Sequence, residues 1–315
     1  MITTIDDVWR YSADSVTLID AHHHLWHLGR NRYPWLADEP ETHFFLGDYE
    51  KLKRDYLPDD YKRDASRHNV LTTVHVEAEM DRARQVEETR WLAGIAAAHR
   101  MPGAIVAHAW FDTPNAEEVI AGQARFPLVR GIRSKPVTSL APDRMTPGAP
   151  GTMQDEAWLR GFALLEKYGF SWDLRVPAWH LPEAAAVARA FPATPIVLNH
   201  TGLPWDRSEA GLARWRGWME QIAAQPNVHL KVSEFGLKDQ PWDYEQNRRI
   251  VLDAIAIFGI ERCMFATNFP VAGLRIDYDT LVRSVARMVA PFPAEHRERF
   301  FWRNADSFYR LGIGG

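Results

Sequence analysis

The residues best equipped for chemistry stand near the start of the chain, in Leu18-Ile19-Asp20-Ala21-His22-His23-His24-Leu25-Trp26. Val16, Leu18 and Ile19 read as a short buried strand, with Asp20 and the histidines at its C-terminal end. Residues i and i+2 of a strand share a face. His22 and His24 are therefore expected to point together, toward one metal ion or one substrate oxygen, while His23 points away. Burying three consecutive imidazoles without partners is costly. A lone His-x-His is a weak signal whose bland reading is a surface or core accident. Its place at a strand end, ahead of a long polar-aromatic loop, is what favours a site.

The rest of the chain supplies elements that could position such a site. Leu71–Ala78 reads as a β-branched, buried strand, and further apolar strands are expected at 104–110, 128–133, 170–175, 195–198, 228–232 and 262–266. Helical periods fall between them, at about 81–99, 115–123, 155–168, 182–190, 208–224 and 244–258, with two more at 278–289 and 293–309. Residues 27–68 read as a long irregular segment of the kind that usually carries function. Eight short strands alternating with helices predict an α/β fold, a closed (β/α)₈ TIM-type barrel. An open doubly wound sheet is disfavoured because no Gly-x-Gly-x-x-Gly follows a strand. With no linker or low-complexity tract, the whole span 1–315 reads as a single domain.

In a barrel the strand C-termini face one site, and polar residues gather there. Strand 1 offers Asp20, His22 and His24; strand 2, His75, Glu77 and Glu79; strand 3, His108; strand 4, Arg133 and Lys135. Strand 5 offers Asp173 and Arg175; strand 6, Asn199 and His200; strand 7, Lys231 and Glu234; strand 8, Asn268. His22, His24 and His200, with Glu77 as a further donor, suit Zn²⁺ or Mn²⁺. Arg133 can clamp a carboxylate bidentately, against the bland reading of a structural ion pair. Lys231 lies in a strand pattern, where a buried ammonium must be paired or perturbed. Glu234 reads as a site acid or a solvated loop acid. His108 and His75 face either the barrel or the helix layer. Trp35 and Trp172 read as pocket walls, although most Trp in a large protein simply pack.

Composition narrows the class. The 315 residues are 46% hydrophobic and 25% charged with a formal net charge of −4, so nothing points to nucleic acid or an anionic membrane. No apolar run approaches the roughly 20 residues of a membrane span. The opening Met-Ile-Thr-Thr-Ile-Asp-Asp has neither the basic nor the apolar region of a signal peptide. The single cysteine, Cys263, excludes an internal disulfide, fits a reducing cytoplasm, and reads as a core residue. The partner expected is a small molecule; oligomeric state is not legible.

Several stretches together resemble the amidohydrolase superfamily, in its branch of sugar-acid and aromatic-acid lactonases. They are Ile19–Trp26, Tyr33-Pro34-Trp35-Leu36, Val129–Arg133, Asn199-His200-Thr201-Gly202-Leu203-Pro204, Lys231-Val232-Ser233, Phe265–Val271 and Asn304–Tyr309. They run nearly end to end in the family's order. The resemblance implies a barrel hydrolase acting on a cyclic ester. It matches His22 and His24 to the strand-1 histidines, His200 to the strand-6 histidine and Arg133 to a substrate-binding arginine.

One position departs from the pattern. Where the family usually carries a strand-8 aspartate that deprotonates the attacking water, this chain has Thr267-Asn268-Phe269-Pro270. An amide cannot accept that proton near neutral pH, though it can orient water or substrate. Glu234, Glu77, Asp173 or a histidine is then the expected base. The alternatives are a decarboxylase or hydratase, or a ligand-binding barrel without turnover. Losing an anionic ligand also lowers metal affinity, so Zn²⁺ or Mn²⁺ is expected to be weakly held or absent.

Overall fold

A computed structural model describes residues 15–314; the amino-terminal stretch read above for a signal peptide lies outside them. Eight strands form one parallel sheet in sequence order. They are β1 (Thr17–His23), β2 (Asn69–Val76), β3 (Ala104–His108), β4 (Val129–Arg133), β5 (Ser171–Leu174), β6 (Ile196–Leu198), β7 (Val228–Val232) and β8 (Cys263–Phe265). Most are buried on both faces, as a parallel sheet covered by helices requires. The helices are α1 (Pro58–Asp64), α2 (Gln85–His99), α3 (Ala116–Ala124), α4 (Glu156–Tyr168), α5 (Leu181–Ala190), α6 (Glu209–Ala223), α7 (Tyr244–Phe258), α8 (Tyr278–Val289), α9 (Ala294–Glu298) and α10 (Asn304–Tyr309). The (β/α)₈ barrel is thus observed. Among the described residues no helix is long and apolar enough to cross a membrane.

The barrel closes just beyond β8. The Asn268 N–H donates to His22 O and the His24 N–H donates to Phe269 O, each at 2.8 Å. Asp20 reinforces the seam: its carboxylate accepts from the Thr267 N–H at 2.9 Å and the Thr267 hydroxyl at 2.6 Å. These bonds set the strand-1 histidines beside the strand-8 amide.

Two segments differ from expectation. The stretch 27–68, read as irregular, contains α1. Pro58 occupies its first turn, and the Asp60 carboxylate accepts from the Leu57 N–H at 3.0 Å, so a proline start and an acidic cap stabilise a short helix whose dense charge disguises it. The predicted helix 293–309 is broken by a π-turn at Arg299–Arg303, which buries Phe300, Phe301 and Trp302. Phe300 and Phe301 pack on Phe265 of β8, at centroid distances of 6.2 and 5.3 Å.

Candidate active site

Three imidazoles meet where β1 and β6 end. The His22 ring lies 5.0 Å from that of His24 and 4.6 Å from that of His200, centroid to centroid. All three are buried. Burial pushes each well below its usual titration range, helped by Lys231 at His22, Arg133 at His24 and Arg175 at His200. Neither His22 nitrogen has a hydrogen-bond partner. A buried, neutral, unpartnered imidazole is a group waiting for a ligand. His23 turns away as expected: its Nε2 meets Thr73 Oγ1 at 2.9 Å and its ring packs on Tyr61.

Strict alternation would have placed Asp20 with His22 and His24, but the register shifts between Asp20 and His23. Asp20 instead accepts from the Tyr61 hydroxyl at 2.9 Å, on the side that His23 occupies. It serves the barrel seam and is not part of the histidine group.

The loop ends of β7 and β8 bring in the next two residues. His24 Nδ1 lies 2.7 Å from Val76 O, and a carbonyl can only accept, so that nitrogen carries the proton. His24 Nε2 then faces Asn268 Oδ1 at 3.2 Å, and Asn268 Nδ2 reaches Glu234 Oε2 at 2.5 Å. A neutral His24 presents a bare lone pair, which requires the amide NH₂. The amide orientation is therefore tied to a proton: either His24 is charged, or the amide turns its oxygen to a protonated Glu234. Burial raises Glu234, and the donors from Asn268 and Gly236 only partly reverse this. His200, Glu234 and Asn268 all hold left-handed φ angles, 58°, 53° and 58°. Such backbone costs about 1–3 kcal/mol per residue and clusters where geometry serves function.

Glu77 and Arg133 form a buried pair across β2 and β4. Arg133 Nε donates to Glu77 Oε1 at 2.6 Å and its Nη2 to Glu77 O at 2.5 Å. Arg82 takes the other carboxylate oxygen at 3.1 Å. Burial alone would push Glu77 up; Arg133 and Arg82 more than offset it, and the carboxyl is held well below its usual range. Glu77, expected as base, substrate ligand or metal donor, has both carboxylate oxygens engaged and holds Arg133, whose Nη1 has no hydrogen-bond partner among the described residues.

Lys231 and Asp173 pair inside the barrel at 2.5 Å, both side chains fully buried. Asp173 also accepts from the Asn199 amide at 3.1 Å and from the Tyr309 hydroxyl at 3.1 Å. Asp173 is thus engaged by Lys231, Asn199 and Tyr309, and the Lys231 charge lowers His22 through its field. Since Asp173 points inward, Trp172 points out: it packs edge-on against Trp158 and Phe162 of α4. Trp172 is no pocket wall. Trp35 lies edge-on to Trp26 at 5.7 Å and is stacked on Phe44. His108 donates from Nδ1 to Gln85 Oε1 at 2.5 Å and lies edge-on to Trp110. It backs the Glu77 cluster and does not join the three histidines. Cys263 is buried in β8, where burial pushes its thiol up.

Glu88, not singled out from sequence, and Arg175, named there only among the strand-5 polar residues, matter here. Glu88 of α2 is buried, accepts from the Ala78 N–H at 3.0 Å, and is pushed up to about 8 by burial and by Glu77. Its spacing of three and four from the buried Trp91 and Leu92 was the available signal. Arg175, two residues beyond Asp173, has the same parity and reaches the mouth. The loop after β1 crosses to meet it: the Phe45 ring lies 5.2 Å from the Arg175 guanidinium, and Leu46 O accepts from Arg275 and from the Asp239 N–H. A cavity of about 670 Å³ lies elsewhere, beside α1 and the start of α8, lined by Trp26, Arg54, Tyr56, Phe269 and Tyr278; none of the three histidines borders it.

The donor set does not fit a divalent metal. Although the three imidazoles meet, no group of three or more His, Cys, Asp or Glu side chains among the described residues is arranged to hold a metal ion. His24 directs its free nitrogen at Asn268, and position 268 offers a neutral amide.

The amidohydrolase family model matches residues 19–311. The chain is 35% identical over 296 residues to protein y4mH of Sinorhizobium fredii, covering 94% of this chain and 99% of that one. It is 29% identical over 306 residues to an L-fucono-1,5-lactonase of Burkholderia ambifaria, covering 93% and 95%. A solved amidohydrolase of Burkholderia multivorans, seen with zinc in one crystal and HEPES in another, superposes with TM-scores of 0.74 and 0.75 at 27% identity, over 94% of this chain and 99% of that one.

Proposed function

The chain belongs to the amidohydrolase family, and from that premise we propose that it is a hydrolase opening a lactone of a sugar acid or a related carboxylated ring. The observation that carries this reading is Glu234 at hydrogen-bond distance from Asn268. The carboxylate missing from strand 8 is supplied one strand away, next to the same histidines.

The lactone carbonyl sits against the three imidazoles. Neutral His22, free of other bonds, donates to the carbonyl oxygen or holds the water. Arg133, fixed by Glu77, donates from Nη1 to substrate oxygen. In the reactive state the shared proton is on His24, which donates to Asn268 Oδ1, and the Asn268 NH₂ donates to an ionised Glu234. Glu234 then removes a proton from water as the water oxygen attacks the carbonyl carbon. Collapse of the tetrahedral intermediate breaks the ring C–O bond, and the proton held by Glu234 passes to the departing alkoxide. The product is a hydroxy acid. A base whose pKa is raised toward neutrality suits this task. No step is routed through a metal.

The test is a panel of aldonolactones and pyrone lactones followed by acid release. No turnover by correctly folded protein overturns the reading. A second reading, a ligand-binding barrel without turnover, is favoured by Asn268 alone. It predicts saturable binding without hydrolysis, and activity appearing in Asn268→Asp.

A further inference from the structure

Three cations stand at the barrel mouth, Arg133 on β4, Lys135 just after it and Arg175 just after β5, and two are paired with carboxylates. The Arg133 charge is balanced by Glu77. Lys135 contacts the Glu79 carboxylate. Arg175 alone makes no hydrogen bond or ion pair with any described residue; the ring of Phe45 over it is its specific contact. Yet it lies deep enough to act on the site: it lowers His200 and Lys135 through its field, and it feels Arg133, Glu234, Glu77 and Glu41 in return. Burial and Arg133 bring it down only to about 10, so it stays charged at neutral pH.

A half-buried guanidinium without a hydrogen-bonded counter-ion favours an arriving anion. Phe45, 5.2 Å from the guanidinium, offers it no acceptor, so its N–H groups are left for a planar acceptor with two oxygens. Neutral sugar lactones offer hydroxyls but no such group.

We propose that Arg175 is a specificity-determining residue that binds a carboxylate carried by the substrate, so that the preferred lactone is anionic and its carboxylate lies on the β5 side of the reacting carbonyl. This rests on the lactonase reading of the same site and goes further by naming the charge of the substrate.

The experiment pairs turnover with binding. Wild type, Arg175→Met and Arg175→Lys are assayed on carboxylated and neutral lactones. The same proteins are titrated calorimetrically with pyridine-2,4-dicarboxylate, a flat ring diacid that cannot be hydrolysed. Circular dichroism and thermal melts confirm folding. We expect wild type to prefer carboxylated lactones and to bind the diacid. Arg175→Met should raise KM for carboxylated lactones and Kd for the diacid about 10- to 100-fold, the range of a charged hydrogen bond. It should leave neutral lactones within about threefold, and Arg175→Lys should restore part of the loss. An equal fall in kcat on both lactone classes overturns the proposal, since Arg175 would then serve the reacting carbonyl. Wild type that hydrolyses only neutral lactones and ignores the diacid also overturns it, while the lactonase reading stands. Arg175-dependent binding of the diacid with no turnover of any lactone sinks the lactonase reading and upholds the carboxylate site.

Discussion

Asn268 hands its amide nitrogen to Glu234 at 2.5 Å while its oxygen faces His24 at 3.2 Å. Residues 34 positions apart in sequence thus form one acid–amide unit beside the histidines. Glu234→Gln removes the proton acceptor and keeps the shape. We expect kcat to fall about 10²- to 10⁴-fold, the usual worth of a general base, with KM little changed. Because burial raises Glu234, the acidic limb of the kcat/KM profile should lie above the ordinary glutamate value. Activity is lost as pH falls through that raised pKa, and Glu234→Gln should abolish the limb.

Asn268→Asp sets a second carboxylate against the first. Two such groups cannot both ionise cheaply, so the acidic limb should move to higher pH in the variant. The new anion beside His24 should also raise zinc affinity. For wild type we expect substoichiometric metal by elemental analysis and less than about a twofold change in rate after chelation, since no step proposed here uses an ion. A stoichiometric, chelator-resistant metal required for turnover would refute that mechanism.

Glu88 gives a stability signature. Its carboxyl is pushed up to about 8, with burial the larger cause and Glu77 the next. For an acid with a raised folded pKa, the unfolded chain releases its proton first. Stability is therefore lost as pH rises from the ordinary glutamate value toward 8. Glu88→Gln has no proton to lose. Its melting temperature relative to wild type should increase across that window and level off above it. Parallel curves for the two proteins would count against a buried, neutral Glu88.

Lys231 and Asp173 test the barrel interior. Asp173→Ala leaves a fully buried ammonium without its carboxylate. Denaturant unfolding should show a loss of about 3–5 kcal/mol, as for breaking one side of a buried pair. Lys231→Met with Asp173→Leu removes both charges and should recover much of that loss. If the single and double variants are equally unstable, the charge pair is not what the barrel needs.

Local periodicity made the barrel legible. Apolar strands and helical stripes recur because backbone geometry fixes their periods at 2 and 3.6, and each can be read within a dozen residues. That reading also located the polar residues at strand ends, and with them His22, His24, His200, Arg133 and Asn268. It failed where parity or register mattered. Trp172 and Asp173 are neighbours, and only packing against α4 decided which one faces the helices. A register shift in β1 moved Asp20 away from the histidines. The pairings that set each role, Glu77 with Arg133, Asp173 with Lys231 and Glu234 with Asn268, join different strands. The sequence by itself determined the eight strands, the main helices between them and the polar residues at the strand ends. Closure of the sheet decided which of them meet, because partners brought together across a barrel leave no periodic trace along the chain.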